Sequence, residues 1–372
     1  MKKIVFITGT RADFGYIKSL IEACVDSNLY KVFIFATGTH LISKHGYTIN
    51  HIYEDGYQNV FAYINYKNGD SMDDIISNTI KGFSDYIKEI KPDLVCIMGD
   101  RIEMLAASVV GALNNILTIH LQAGDVSGSI DDSIRHSISK LCHAHFCANE
   151  IAKKRLLSMG ENEDNIFVIG SPSIDNIQNI IEMDLYGVMK KNYKIKFNDY
   201  GILIFHPVTT EINNIKRQIK NIVDVIKESN LDYIVINPNN DNGNEIILNE
   251  YKKLGNCNNV KIFPTIKYEY FITLLSKAKF VMGNSSSAII EAPYFSIPVI
   301  DIGTRQKGRK LTNNIFNSGY GKVSIKKAIG KALEYDDKIE GEYGAGNSSE
   351  LFLDILNSEK FWKIKKQKEY NI

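Results

Sequence analysis

Short β-branched apolar runs recur along the chain, each followed by a turn and then by a longer amphipathic segment. That alternation is the pattern of parallel strands joined by helical crossovers. A first set of strands is predicted at Ile4 to Ile7, Val32 to Ala36, Leu94 to Met98, Leu117 to Leu121, His145 to Ala148 and Phe167 to Ile169. A second set follows at Ile202 to Phe205, Tyr233 to Ile236, Val260 to Phe263, Phe280 to Met282 and Val299 to Ile302. The runs are nearly continuous in apolar residues, as strands are when helices cover both faces of a sheet, so the architecture is α/β with two doubly wound parallel-sheet domains. The expected units are residues 1–175, residues 176–350, and a last amphipathic stretch, 351–372, returning to the first unit. Within the second unit, Ser324 to Tyr335 reads as helix, and the closing Lys-Ile-Lys-Lys-Gln-Lys of residues 363–368 reads as a solvated helix face.

Composition narrows the class. At about 150 residues per domain, 372 residues suggest two to three domains, and two is preferred. Hydrophobic residues make up 44% and charged ones 23%, enough apolar material for large cores and too little charge for a disordered chain. Net charge is +1, so no basic excess points to nucleic acid or to an anionic membrane. No stretch approaches the roughly 18 apolar residues of a membrane helix. The apolar N-terminal run breaks into Gly-Thr-Arg-Ala-Asp without a cleavage-like site, and the expected location is the cytoplasm. Five cysteines without CxxC spacing argue against a disulfide framework or a zinc ribbon. His143 and His145 alternate within an apolar run with no third ligand nearby, so they read as core or surface histidines, and no metal is expected.

In open α/β sheets ligands sit beyond the carboxyl ends of the strands, which directs attention to the residues after each run. The first run leads into Gly9 to Gly15, which is neither GxGxxG nor a P-loop; Arg11 in that glycine turn suits a phosphate, and an ordinary tight turn with a surface arginine is the alternative. The third leads into Gly99-Asp100-Arg101, where Asp100 can move a proton or bind sugar hydroxyls, or simply cap a helix, and Arg101 can grip a phosphate. The fourth leads into the polar run His120 to His136, which holds Gln122, Asp125 and Asp131, the last also suited to a helix N-cap. So many polar groups after a buried strand are costly unless a ligand, water or partners satisfy them, which favours a functional role. The second unit supplies His206 after one strand and Asn237 to Asp241 after the next, with Asn239 a polar candidate. It also supplies Gly283-Asn284-Ser285-Ser286-Ser287 running to Glu291, then Gly303-Thr304-Arg305-Gln306. Hydroxyls at a strand-to-helix junction suit a diphosphate, and Glu291 can accept from ribose hydroxyls; a serine-capped helix is the alternative.

Taken together, Gly9 to Asp13, Gly99 to Arg101, Ser127 to His136, Phe205 to Pro207, Gly283 to Ser286 and Gly303 to Gln306 resemble the hydrolysing UDP-N-acetylglucosamine 2-epimerase family of sialic and other nonulosonic acid biosynthesis. The resemblance spans nearly the whole chain. It implies twin Rossmann-like domains of the glycosyltransferase-B type with an interdomain cleft, anti elimination of UDP to 2-acetamidoglucal, and hydration to N-acetylmannosamine. It implies no cofactor, a sugar-nucleotide partner, and a homodimer or homotetramer. By position it makes Asp100 and Asp131 the acid/base carboxylates and His206 the histidine near the diphosphate, with Arg11, Arg101, Ser285, Ser286, Glu291 and Arg305 as nucleotide or phosphate contacts and Asn239 as a weaker one. Many relatives have glutamate where this chain has Gln122, and Asp125 keeps an acid at the second acidic position of that motif. Gln122 cannot titrate, so either Asp100, Asp125 and Asp131 carry the proton transfers or the chain serves another sugar nucleotide, UDP- or GDP-N,N'-diacetylbacillosamine. A transferase of the same fold, a non-hydrolysing epimerase and a non-catalytic sugar-nucleotide sensor are the rival classes.

Overall fold

The computed structural model describes residues 1–67, 70–127, 130–239, 241–307, 309, 312–338 and 343–368. The chain divides into two units: unit 1 holds Met1–Asp125, Asp131–Asn176 and Tyr343–Ile372, and unit 2 holds Val126–Ile130 and Ile177–Glu342.

Unit 1 is built on β1 (Lys2–Thr8), β2 (Tyr30–Ala36), β3 (Val60–Ala62), β4 (Leu94–Met98), β5 (Leu117–Leu121), β6 (Ala144–Cys147) and β7 (Ile166–Val168). All pair in parallel, in the order β3-β2-β1-β4-β5-β6-β7. Side chains alternate across the sheet, so a continuous apolar strand feeds two cores. Ile4 and Phe6 of β1 join one, with Phe352 and Leu356 of the helix Ser348–Asn357, while Val5 and Ile7 join the other with Phe83 and Ile138. Truncating a fully buried ring such as Phe352 to alanine costs about 3–5 kcal/mol at such sites. The C-terminal helices thus belong to the first unit's core.

Unit 2 repeats the plan with β8 (Tyr200–Ile204), β9 (Asp232–Ile236), β10 (Val260–Phe263), β11 (Phe280–Gly283), β12 (Val299–Ile302) and β13 (Ile315–Ser318). Their order is β10-β9-β8-β11-β12-β13, again parallel. Helices Ile215–Lys227 and Lys322–Leu333 pack on one face through Ile219, Ile222, Ile325 and Ala328.

Each strand expected from the sequence is present within two residues of its bounds. Two more, β3 and β13, escape the pattern because they are short edge strands: Phe61 is exposed, and β13 carries Asn317 and Ser318. The expected helix from Ser324 starts two residues earlier, at Lys322. The basic tail is a correction. The last helix ends at Trp362, and Lys368 is not a solvated helix face: its Nζ meets Glu161 Oε2 at 2.6 Å and Ser139 O at 3.0 Å. His143 and His145 are buried core residues, bonded to Thr118 N and Lys366 O and to Glu161 respectively. The cysteines are free thiols, four of them buried.

Candidate active site

Each sheet reverses its strand order once, between β1 and β4 in unit 1 and between β8 and β11 in unit 2. Beyond the carboxyl ends of strands at such a reversal the crossovers leave in opposite directions and open a crevice, the usual ligand position in this architecture.

In unit 1 the loop after β1 is organised by Asp13. Its Oδ2 accepts from Gly9 N (3.2 Å), Thr10 N (3.0 Å) and Thr10 Oγ1 (3.1 Å), closing a capping box for the helix Arg11–Asp26, and its Oδ1 takes the Thr8 hydroxyl. Thr8 Oγ1 in turn meets His40 Nε2 at 2.9 Å, and His40 Nδ1 meets Thr48 Oγ1 at 2.9 Å. Burial pushes the Asp13 carboxyl up to about 6, against the lowering pull of the Thr8 hydroxyl and the Arg101 charge. Burial, with Arg101 adding to it, pushes His40 down to about 3. Arg101 also donates from Nε to the buried Glu103 (3.2 Å). The Glu103 carboxylate lies so close to Gly9 and Gly38 that a Cβ at Gly38 would stand 2.7 Å from it.

Asp100 follows β4 and does not cap the next helix: the N-cap of Ile102–Leu113 is Arg101, and the Asp100 carboxylate accepts from Arg135 Nη2. Arg135, 2% exposed, donates from Nη1 to Gln122 O at 2.9 Å. One guanidinium therefore ties the end of β4 to the end of β5, where Gln122 stands in the left-handed region (φ 54°), a conformation that costs a non-glycine residue about 1 kcal/mol. The Gln122 side chain donates to Ser171 Oγ at 3.0 Å. Asp131 lies inside the first turn of the helix Ile130–Leu141, not at its N-cap, and Asp125 is buried. Gly128 and Ser129 of the same motif lie outside the described residues.

In unit 2, Asn284 laces the two central loops together. Its Oδ1 accepts from His206 N (2.7 Å), its Nδ2 donates to His206 O (2.9 Å), and its carbonyl accepts from Arg305 Nη1 (3.1 Å) and Gln306 Nε2 (2.8 Å). His206 Nδ1 accepts from Asn239 N at 3.0 Å. Burial, with the Arg305 charge, pushes His206 well below its ordinary value. The ring is therefore neutral and, with Nδ1 accepting, carries its proton on Nε2. Gly283 (φ 132°) must be glycine, since a Cβ there would stand 1.9 Å from Ile204 O. Ser285 is the N-cap of the helix Ser286–Ile290 but makes no side-chain cap bond, its hydroxyl meeting Ser287 Oγ at 3.4 Å. A helix of five residues has little dipole, so the polar groups at its start are chiefly hydroxyls and first-turn amides. Glu291 is fully buried, and Asn240 lies outside the described residues.

The UDP-N-acetylglucosamine 2-epimerase family profile matches residues 22–357. The UDP-N-acetylglucosamine 2-epimerase of Neisseria meningitidis serogroup B is 40% identical over 100% of this chain and 99% of its own. This chain belongs to that family. The UDP-N,N'-diacetylbacillosamine 2-epimerase (hydrolyzing) of Legionella pneumophila is 33% identical over 96% of both chains. In fold, the Methanocaldococcus jannaschii UDP-N-acetylglucosamine 2-epimerase, solved with UDP-N-acetylglucosamine and UDP, aligns at a TM-score of 0.84 over 95% of this chain and 99% of that one, at 20% identity. The two units are thus the twin Rossmann-like sheets of the glycosyltransferase-B type.

Of the residues expected from the sequence, the structure joins Asp100 with Gln122 through Arg135, and His206 with Asn239 and with Arg305 through Asn284. Arg11 and Arg101 are both among the charges that lower His40, with His51. Sequence reasoning gave no role to Asp13, His40, Glu103, Arg135, Asn284, Gln306 or Arg309. Asp13, Arg135, Asn284 and Gln306 stand inside the motifs that carry the resemblance, and for Asn284 the signal is an asparagine after a strand-end glycine. Among the described residues no group of three or more His, Cys, Asp or Glu could hold a metal ion, and no helix is long and apolar enough to cross a membrane.

Proposed function

We propose that the chain is a hydrolysing 2-epimerase, converting UDP-N-acetylglucosamine and water to N-acetylmannosamine and UDP on the way to sialic acid, in the cytoplasm and as a homodimer or homotetramer. The observation that carries this reading is the division of chemistry between the two strand-order reversals: carboxylates after β4 and β5, and neutral or cationic donors after β8, β11 and β12. Elimination needs both. A carboxylate removes the weakly acidic C2 proton of the sugar while the C1–O bond to UDP breaks, giving 2-acetamidoglucal. The negative charge gathering on the leaving diphosphate is met by donors already in place.

In this reading Asp100, Asp125 and Asp131 serve the sugar. Asp100, paired with the Arg135 guanidinium, is held as an acceptor and suits the base. Asp131, on the first turn of a helix, suits the acid that completes addition of water across the double bond. Gln122 is a positioning residue, its backbone carbonyl clamped by Arg135 and its amide spent on Ser171. His206 donates Nε2–H to a phosphate oxygen without changing its own charge. Ser285, Ser286, Arg305, Arg11 and Arg101 receive the diphosphate, Glu291 the ribose, and Asn239 holds His206.

A proton NMR time course in deuterated water tests the whole assignment, since free N-acetylmannosamine carrying deuterium at C2 is expected from UDP-N-acetylglucosamine. Product that keeps UDP would make the chain a non-hydrolysing epimerase, and UDP release only with an acceptor would make it a transferase. The second reading, UDP- or GDP-N,N'-diacetylbacillosamine as substrate, is favoured by the Legionella relative and by Gln122. Turnover of the 4-acetamido sugar nucleotide alone would establish it.

A further inference from the structure

Asp301 is a carboxylate inside a sheet. It sits on β12, between β11 and β13, and is 3% exposed. Its strand neighbours Ile300 and Ile302 point into the core shared with helices Ile215–Lys227 and Lys322–Leu333, so Asp301 points to the opposite face. Among the described residues its buried Oδ1 has no hydrogen-bond partner. A buried acid so poorly served costs stability, and nothing in the packing of the sheet asks for one.

Burial pushes its carboxyl up to about 6, and among the described residues Arg309 and Arg305 of the loop after β12 draw it down. Across the sheet it faces Gly283 on β11 and Asn317 on β13, neither of them charged. The helix Ser286–Ile290, which packs against β12, ends at the buried Glu291. On the far face, Lys322 and Lys326 of the other helix are engaged with Glu228. The arginines are themselves fixed: Arg305 donates to Asn284 O (3.1 Å), and Arg309 donates to Gln306 Oε1 (2.8 Å) and Val126 O (2.6 Å).

We propose that Asp301 is a proton-linked counter-charge of the diphosphate seat: ionised when the seat is empty, it takes up a proton when a nucleoside diphosphate engages Arg305. The inference rests on the seat assigned above to Arg305 and the serines. A diphosphate brings anionic charge to Arg305, one of the two guanidiniums that offset the burial of Asp301, so the carboxylate loses part of its compensation and its neutral form is favoured. Binding then couples to proton uptake, and UDP is held more weakly as pH rises and the proton becomes harder to acquire. For an enzyme that must release UDP each turnover, such an internal anion opposes product retention.

The test is calorimetric titration of the full chain with UDP, in buffers of different ionisation enthalpy, for the parent and for Asp301→Asn. At pH 6.5 the parent is expected to take up about half a proton more per UDP than the variant. At pH 8 the variant is expected to bind UDP about tenfold more tightly than the parent, the two converging at pH 5.5. Equal proton uptake and equal affinity at pH 8 overturn the inference while leaving the seat intact. UDP affinity unchanged in Arg305→Ala overturns the seat and the inference with it. Should Asp301→Asn fail to fold, the infrared difference spectrum of the parent with and without UDP decides: a new protonated-carboxyl band supports the proposal, and its absence overturns it.

Discussion

The two units share one strand order and one reversal point, yet their crevices carry opposite chemistry. After β4 and β5 a single buried guanidinium, Arg135, joins the Asp100 carboxylate to the Gln122 carbonyl, on loops that also carry Asp125 and Asp131. After β8, β11 and β12 they gather a neutral imidazole, an asparagine making four hydrogen bonds through side chain and carbonyl, serine hydroxyls and a guanidinium. The difference shows how little of the chemistry belongs to the fold. The sheet supplies a place where loops meet, and residue choice on those loops decides whether the place moves protons or holds an anion. Replacing one group from each crevice should therefore break turnover and binding separately.

The largest effect is expected from Asp131→Asn, which removes a titratable group and keeps its shape. Turnover should fall by about a thousandfold, within the range for losing a general acid or base, while UDP affinity measured by titration changes less than about threefold. Full activity would remove Asp131 from the reaction. Next comes Arg135→Met, which takes away the link between Asp100 and the Gln122 carbonyl. Turnover should fall about a hundredfold, and stability should drop by about 3 kcal/mol because a buried pair has lost one member. Arg135→Lys cannot bridge both partners as a planar fork, so it should recover stability more than turnover. Equal recovery of both would reduce Arg135 to a packing residue.

How much of this comparison is legible along the chain depends on the distance between partners. The central strands are, because a run of apolar residues is a local property and survives any topology. The edge strands β3 and β13 are less so, since an edge tolerates Asn317 and an exposed Phe61. Asp100 looks like a helix cap when read with its neighbours, and its true partner lies 35 residues on. The basic tail looks like a solvated face because Glu161, which Lys368 meets, is 207 residues away. Asp301 is hidden in Val-Ile-Asp-Ile, a fragment that reads as ordinary strand until the arginines after it are placed. Local pattern reports elements, and long-range pairing assigns roles.

On the side proposed to hold the diphosphate the expected losses are smaller and fall on affinity. Arg305→Ala removes a charged donor and should weaken UDP binding by about 10- to 100-fold, and Ser286→Ala by about fivefold, in line with charged and neutral hydrogen bonds. Partition of C2 deuteration against product release on bound substrate should change little in either variant. Unchanged UDP affinity in both would refute the seat.

The smallest effect concerns stability in acid, and it also divides the units. Seven of the eight histidines lie in unit 1. Burial pushes His40 and His120 down to about 3 and lowers His136, His143 and His145 as well, whereas unit 2 has His206 alone. A histidine whose folded value lies below its unfolded value of about 6.5 stabilises the fold fully above 6.5, and that contribution is lost as pH falls toward 3. Glu161, lowered to about 2 by His145 and Lys368 against the opposing effect of burial, works in the same direction below 4.5. Asp13 in unit 1 and Asp301 in unit 2 work the other way: both are raised to about 6, so their contribution is present below 3.8 and lost as pH rises through 6. These two acids oppose the histidines once in each unit, leaving the excess of buried neutral imidazoles in unit 1 uncompensated. Hydrogen exchange followed by mass spectrometry at pH 7 and pH 5, corrected for intrinsic rates, should show protection falling first in peptides from β1, β5 and β6, with peptides from β8 and β11 retaining theirs. The accompanying drop in unfolding temperature should be a few degrees, given about 2–4 °C per kcal/mol for units of this size. Earlier loss of protection in unit 2 would mean that its single buried imidazole outweighs all those of unit 1, and the contrast in electrostatics drawn between the two sheets would not govern their stability.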